Sequence, residues 1–430
     1  MKNNRVSANC LWFNPAFQSP SYWVIMKILG VNSPCTEGET EVDIDKIKAN
    51  VNGEIESRRE QLAALSKKLH DNPEIAFEEK RAAEWITEYL EQTGFAVEKG
   101  ISGLPTAFKG RYGGGKPVIA FLAEYDALPK LGHACGHNLI ATASVAAAVA
   151  SQKAVDALGG SVVVFGTPGE ELYGGKAIMA VRGAFTDVDM AMISHPGGGN
   201  TVVMNTLACE TLQVEFIGKA AHAAAEPEAG ISALEAMIQS FNAVNSLRQL
   251  IRDRARINGI ITDGGEAANI IPAHTAATFV VRAEEDAYLD ELKKKVISCF
   301  SGASRATGAK LKYKWGEHYA AMFNNLTMAR LFKQNMQSLG RGIRLGDNTM
   351  MTFSTDVGNV SQLLPTIQPL VAIAPHDVQI HTPQFAEAAA SKDGLNGMLD
   401  AAKAMAMTVV DILADPETAV KVWDEFRKDK

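Results

Sequence analysis

The chain has 430 residues, 47% hydrophobic and 21% charged, a composition that supports a folded core and excludes a disordered or fibrous protein. Its formal net charge of −7 leaves no basic field to recruit nucleic acid or an anionic membrane surface. The five cysteines, Cys10, Cys35, Cys135, Cys209 and Cys299, are too few and too scattered for a disulfide framework, and they fit a reducing, cytoplasmic setting.

Residues 1–41 carry Lys2 and Arg5, but Trp12, Asn14, Pro15 and Pro20 interrupt any signal-like apolar stretch. They read as a poorly ordered extension in which Met26 is an alternative start. Apolar residues at helical spacing follow over 44–71 and 77–93, the second stopped by Gly94. Short runs rich in β-branched residues then predict strands at 117–123, 161–166, 188–193 and 367–374, with helices at 139–155 and 174–182 between the first three. The small-apolar run 139–150 is too short to cross a bilayer and reads as a buried helix. Alternation of this kind predicts an α/β domain with a mainly parallel sheet, over 42–207 and 316–430. Between the two parts, 208–315 has a β-α-β-β-α-β order that predicts an inserted α+β, ferredoxin-like unit.

The residues just beyond each strand are chemically informative. Glu124 and Asp126 come after the first, leading into Gly132-His133-Ala134-Cys135-Gly136-His137-Asn138. Glu170 and Glu171 come after the second, His195 after the third, and His376, Asp377 and His381 after the fourth. In open α/β sheets ligands bind beyond the carboxyl ends of strands, so these groups are expected to converge on one crevice. Thiolate, imidazole and carboxylate together suit zinc or another late first-row divalent ion. Gly136 permits a tight turn between Cys135 and His137, and Asn138 reads as the N-cap of the following helix. Taken singly, each group has a plainer reading: Cys135 as inert packing, His137 as a structural histidine, Glu170-Glu171 as helix-start acids. A cysteine nucleophile at Cys135 is the rival chemistry, but it leaves Glu170, Glu171, His195 and His381 without a role. His70, His274 and His318 lack strand-end placement and read as structural.

These residues resemble a known family. HDNPEIAFEE, EYDALPKLGHACGHNLIATAS, GTPGEELYGGK, GKAAHAA, NIIP and IHTPQF are similar to the amidohydrolase branch of the aminoacylase, carboxypeptidase G and hippurate hydrolase metallopeptidases. Asn138, where the common motif ends in Asp, resembles the subgroup acting on dipeptides or aminobenzoyl-glutamate. The resemblance implies a metal-dependent amidohydrolase of a small N-acyl amino acid, or else a dipeptidase, with a catalytically silent ligand-binding relative as the remaining alternative. It implies two divalent metal ions, zinc or else manganese or cobalt, bridged by Cys135 and completed by His137, Glu171, His195 and His381. Glu170 would be the general base and Asp126 the acid orienting a metal-binding side chain. Glu124 stands where other branches carry a metal-binding histidine, a task that His137 would take over. The resemblance also makes 208–315 a lid domain through which a homodimer forms, with His222 reaching the partner's site and Asn269 and Arg282 contacting substrate. Guanidinium geometry suits a substrate carboxylate at Arg282, and a solvated strand-end charge is its plainer reading.

Overall fold

A computed structural model describes residues 42–346 and 353–430; the extension expected at 1–41 lies outside them. The chain opens with three amphipathic helices, α1 (Ile44–Ser57), α2 (Arg59–His70) and α3 (Lys80–Gln92). The helical stretch expected over 44–71 forms two helices, because Arg58 leaves helical geometry at φ −100°, ψ 5°. Strands β1 (Ala96–Lys99) and β2 (Phe108–Gly113) follow, then β3 (Val118–Ala123), α4 (His137–Leu158), β4 (Ser161–Gly166), the short α5 (Glu170–Tyr173), α6 (Gly175–Val181), β5 (Met190–Met192) and β6 (His195–Gly197).

The main sheet has six strands in the order β1-β2-β4-β3-β5-β11, where β11 is Thr366–Ile367. Strands β4, β3, β5 and β11 run parallel, whereas β1 and β2 add an antiparallel edge. That edge escapes the hydrophobic pattern because β1 is nearly all exposed. The run expected as one strand over 367–374 is broken by Gln368-Pro369. Pro369 has no backbone N–H to give a ladder, and the chain restarts as β12 (Leu370–Ala372), parallel to β6 in a separate two-stranded sheet.

Every residue of β3 and β4 is buried, which is why both read as continuous apolar runs. Ile119, Phe121, Val162 and Val164 join the larger core on one face, while Ala120, Leu122, Val163 and Phe165 join a second core on the other. The larger core is roofed by α1, α4 and α12 (Lys392–Ala414). The alanines of α4 and α12 leave little side chain between the two helices, so their axes can approach closely.

The second sheet, order β10-β7-β9-β8, is antiparallel throughout. It comprises β7 (Ala208–Ile217), β8 (Arg256–Asp263), β9 (His274–Ala283) and β10 (Lys310–Trp315), with α7 (Ala233–Leu247) and α8 (Asp286–Thr307) between strands. This four-one-three-two order is that of a ferredoxin-like unit. Along β7 Leu212, Val214 and Phe216 are buried while Gln213 and Glu215 are exposed, the alternation of a sheet with one face packed. Phe216, Phe279 and Phe300 form its aromatic centre. The chain returns through α9 (Leu326–Ser338) and α10 (Val357–Ser361), and ends in α11 (Pro383–Ala389), α12 and α13 (Pro416–Asp429). Among the described residues no helix is long and apolar enough to cross a membrane.

Two ionic contacts brace this frame. Lys176, in the first turn of α6, is fully buried, its Nζ lying 2.5 Å from Glu124 Oε1 and 2.8 Å from Asp356 Oδ1. Burial opposes its charge, yet Asp356, Glu124 and Glu170 hold the ammonium above its ordinary range. Removing one member of such a network leaves the others charged and unpaired. Lys176→Met is therefore expected to destabilise the fold by about 3–5 kcal/mol in urea denaturation, and a loss under about 1 kcal/mol would show the network to be dispensable. The second contact lies at the root of the inserted unit, where His318 Nε2 meets Asp286 Oδ1 at 2.6 Å and Nδ1 lies 3.5 Å from Glu210 Oε2, which also pairs with Lys293. Asp286, then Glu210, raise the imidazole from 6.5 to about 9 against the cost of burial. A folded-state pKa raised in this way contributes stability that is complete below about pH 6.5 and disappears as pH climbs through about 9. The fall in Tm across that window should be shallower for His318→Gln than for the parent; equal slopes would exclude the contribution.

Candidate functional site

The parallel strands β3 and β4 end side by side, and the chain after each carries the groups in question. After β3, Glu124, Tyr125 and Asp126 are all buried. The loop then turns at Gly136, whose φ is +79°; a Cβ there would lie 2.5 Å from Pro196 Cγ, so the turn requires glycine. The turn carries Cys135 and His137, and α4 starts at His137 with Gly136 in the cap position. Asn138 is thus not the N-cap. It is fully buried inside the first turn, and its Nδ2 donates to Ser66 Oγ at 3.0 Å and to Ala389 O at 3.1 Å, tying α4 to α2 and α11.

His137 Nδ1 bonds to Asp126 O at 2.9 Å and to Asp126 Oδ1 at 3.1 Å, which leaves Nε2 facing the crevice. His195 is set the same way: its Nδ1 is occupied by Pro196 O at 2.7 Å, and its Nε2 lies 3.4 Å from Cys135 Sγ. Carbonyl and carboxylate partners of this kind fix the tautomer and orientation of an imidazole. His381 is held with φ +64°, a conformation that a residue with a Cβ adopts only when its surroundings impose it. Its Nε2 comes within 3.3 Å of Glu171 Oε1. The donor atoms of Cys135, His137 and His195 lie within 4.8 Å of one another, as do those of Cys135, Glu171 and His381 and those of His137, Glu170 and Glu171. Cys135 belongs to the first two groups, the disposition a shared thiolate requires. His376 and Asp377, also at this end of the sheet, are exposed.

The electrostatics match a site built for cations. Burial, with the charge of Glu171, pushes the Cys135 thiol well above its ordinary range. Burial, then Glu124, Glu171 and Asp356, push the Glu170 carboxyl up. Burial works against Asp126 too, but His137 and the Glu171 N–H, which donates to Oδ2 at 3.0 Å, keep its carboxyl below the usual value. His137 Nε2 is buried without a hydrogen-bond partner in the protein. Buried polar atoms of native structures are normally satisfied, and an orphaned imidazole nitrogen aimed into a nest of thiol and carboxylate fits a metal ion.

Glu170 and Glu171 form the first turn of α5, a four-residue helix between Gly169 at φ +72° and Gly174 at φ +62°. Both are helix-start acids in the plain sense, and the turn delivers them to the crevice. Buried Glu79, from the HDNPEIAFEE segment, accepts from the Gly169 N–H at 2.9 Å and from Thr106 Oγ1 at 3.1 Å. Burial and the nearby Asp126 push its carboxyl up to about 7.

Lys176 and Asp356 border this site and escaped the sequence reading, as did the bonding partner of Glu170 O, Tyr319. Lys176 left one signal: a lone cation at the start of an otherwise apolar helix, where the dipole disfavours it. Asp356 left none.

The residues expected from the inserted unit are arranged differently. His222 and Asn269 are exposed neighbours: the Ala223 N–H donates to Asn269 O at 3.1 Å, and His222 Nδ1 accepts from the N–H groups of Ala224 and Ala225. Their bonds run within that unit. Arg282, half-buried on β9, reaches the other way, its Nη1 donating to Ser354 Oγ at 2.7 Å. His70 bonds Ala386 O and His274 bonds Asp263, apart from the cluster.

Comparison with known proteins places this geometry. Residues 210–307 match the family model of the peptidase dimerisation domain. The chain is 35% identical to the Xaa-Arg dipeptidase of Mus musculus over 416 residues, which cover 92% of this chain and 96% of that protein. It is 30% identical to one of the p-aminobenzoyl-glutamate hydrolase polypeptides of Escherichia coli over 439 residues, 84% of this chain and 91% of that one. A dinuclear metal binding peptidase of the M20 family from Bacillus subtilis has the same fold, with a TM-score of 0.64 at 19% identity over 83% of this chain and 99% of that chain. With relatives of this identity aligned over nearly their whole length, the chain belongs to the M20 family of metal-dependent peptidases and amidohydrolases.

Proposed function

We propose that the chain hydrolyses the amide bond of a small N-acyl amino acid or dipeptide, with Glu170 as general base. Two divalent cations would be held by Cys135, His137, Glu171, His195 and His381. The observation that carries this reading is that Cys135 belongs to two donor groups at once, with Glu170 on the same turn as Glu171. Bound there, such ions supply a water of lowered pKa, about 7, and polarise a carbonyl.

The chain's own residues do the rest. Glu170 takes a proton from the attacking water and hands it to the leaving amine, a contribution of typically about 10²–10⁴-fold. A carboxyl whose proton affinity is raised by burial and by neighbouring acids suits that exchange. Asp126 keeps Nε2 of His137 directed into the crevice. Arg282 and Asn269 contact substrate, Arg282 through a carboxylate that its guanidinium fits. His222, exposed on its turn, polarises the scissile carbonyl in the partner subunit of a homodimer formed through 208–315, a reading supported by the match to the dimerisation domain. A thiolate donor favours zinc over harder ions, with manganese or cobalt as alternatives. The scattered cysteines favour a cytoplasmic setting.

The similarity to Xaa-Arg dipeptidase favours the dipeptide form of this reading. Assaying the purified chain, with zinc, manganese or cobalt added, against N-acetyl and N-benzoyl amino acids, aminobenzoyl-glutamate and basic dipeptides separates the two; a dipeptidase requires the free substrate amine.

Two variants test the roles. Glu170→Gln is expected to keep its metal and lose about 10²–10⁴ in turnover, whereas hydrolysis at the parent rate would remove Glu170 as the base. Cys135→Ser is expected to carry less metal after dialysis, measured by plasma mass spectrometry, and an unchanged metal-to-protein ratio would count against the thiolate as a ligand.

A further inference from the structure

The turn that carries Glu170 has little structure of its own. α5 is four residues long, lies between two left-handed glycines and has no capping side chain. A helix of one turn leaves most of its backbone groups without internal partners, so its orientation is set from outside. Three side chains do this. Glu79 holds the Gly169 N–H just before the turn, and Asp126 holds the Glu171 N–H within it. The phenol of Tyr319 donates to the main-chain carbonyl of Glu170 at 2.8 Å. The Tyr319 ring also lies against Gly174, where a Cβ would come within 2.6 Å of Tyr319 Cε1.

Tyr319 is itself fixed by the root of the inserted unit. The outgoing chain at Cys209 and the returning chain at Tyr319 pair as an antiparallel bridge, with Cys209 N donating to Tyr319 O at 2.8 Å and Tyr319 N donating to Cys209 O at 2.9 Å. On either side, Asn359 at α10 clasps the returning strand: its Nδ2 donates to His318 O at 2.8 Å and its Oδ1 accepts from Ala320 N at 3.2 Å. Gly358 packs so close to Ala320 that a Cβ there would lie 1.9 Å from Ala320 O. Burial raises the Tyr319 phenol above its ordinary range, so it stays protonated and can only donate to the carbonyl.

We propose that Tyr319 is a positioning residue, which ties the turn bearing Glu170 to the paired strands where the 208–315 unit joins the rest of the chain. This rests on Glu170 being the base. A base displaced by a fraction of an ångström loses rate without losing substrate affinity, since misplacement of about 1 Å costs on the order of 10²-fold.

Tyr319→Phe keeps the ring against Gly174 and removes only the donor. In the full-length protein loaded with zinc, it is expected to lower kcat about tenfold, with KM within about twofold and the metal-to-protein ratio and Tm unchanged. Hydrogen exchange of the amides at 170–174 is expected to quicken several-fold, whether or not a good substrate is in hand. Parent-like exchange across 170–174, a parent-like kcat, or a fall in kcat that tracks lost metal or lowered Tm would each overturn the proposal. Glu170→Gln in the same series separates the two ideas: if it retained turnover the base assignment would fall, while exchange at 170–174 would still decide whether Tyr319 holds the turn.

Discussion

Mutual repulsion among buried anionic groups is the constraint on which the site depends. Glu124, Glu170 and Asp356 present oxygens within 4.8 Å of one another, and Cys135, Glu171 and His381 converge as closely beside them. Such a concentration of acid cannot be desolvated without compensating positive charge. The chain supplies part of it as the Lys176 ammonium, locked between Glu124 and Asp356. On the other side the buried Nε2 of His137 has no hydrogen-bond partner in the protein, which fits a metal ion among these donors. One half of the cluster is thus neutralised by a cation the chain itself carries, and the half around Cys135 has the donor types that would hold metal ions.

Much of this was legible in the amino-acid order. The strands at 161–166 and 118–123 are buried on both faces and so appear as unbroken apolar runs. The groups in the segments beyond the expected strands, Cys135, His137, Glu171, His195 and His381, do come together. The reason is that parallel strands end on one side of their sheet, so position along the chain carries three-dimensional information. The inserted unit was equally readable, its helices and strands differing in period.

The features that stayed hidden have physical reasons as well. β1 is mostly exposed and β2 buries only Phe108 and Gly110, so neither leaves an unbroken apolar run. Asn138 has the chemistry of a cap, but the left-handed Gly136 takes that place and the amide is spent on holding two other helices. Asp356 and Tyr319 reach the crevice from more than 140 residues beyond Glu170, through packing that no local pattern encodes. His222 and Asn269 are exposed neighbours whose hydrogen bonds stay within the inserted unit, so those contacts do not tie them to the crevice.

The inserted unit enters along β7 and leaves along β10, and these strands are adjacent, Leu212 lying opposite Trp315. Residues opposed across an antiparallel ladder are only about 5 Å apart. A short linker between them would span the gap left by removing everything in between, and the six-stranded sheet would keep its connectivity. Recombination can therefore exchange or lengthen this module without rethreading its host, whose main sheet and strand-end groups lie outside the exchanged segment.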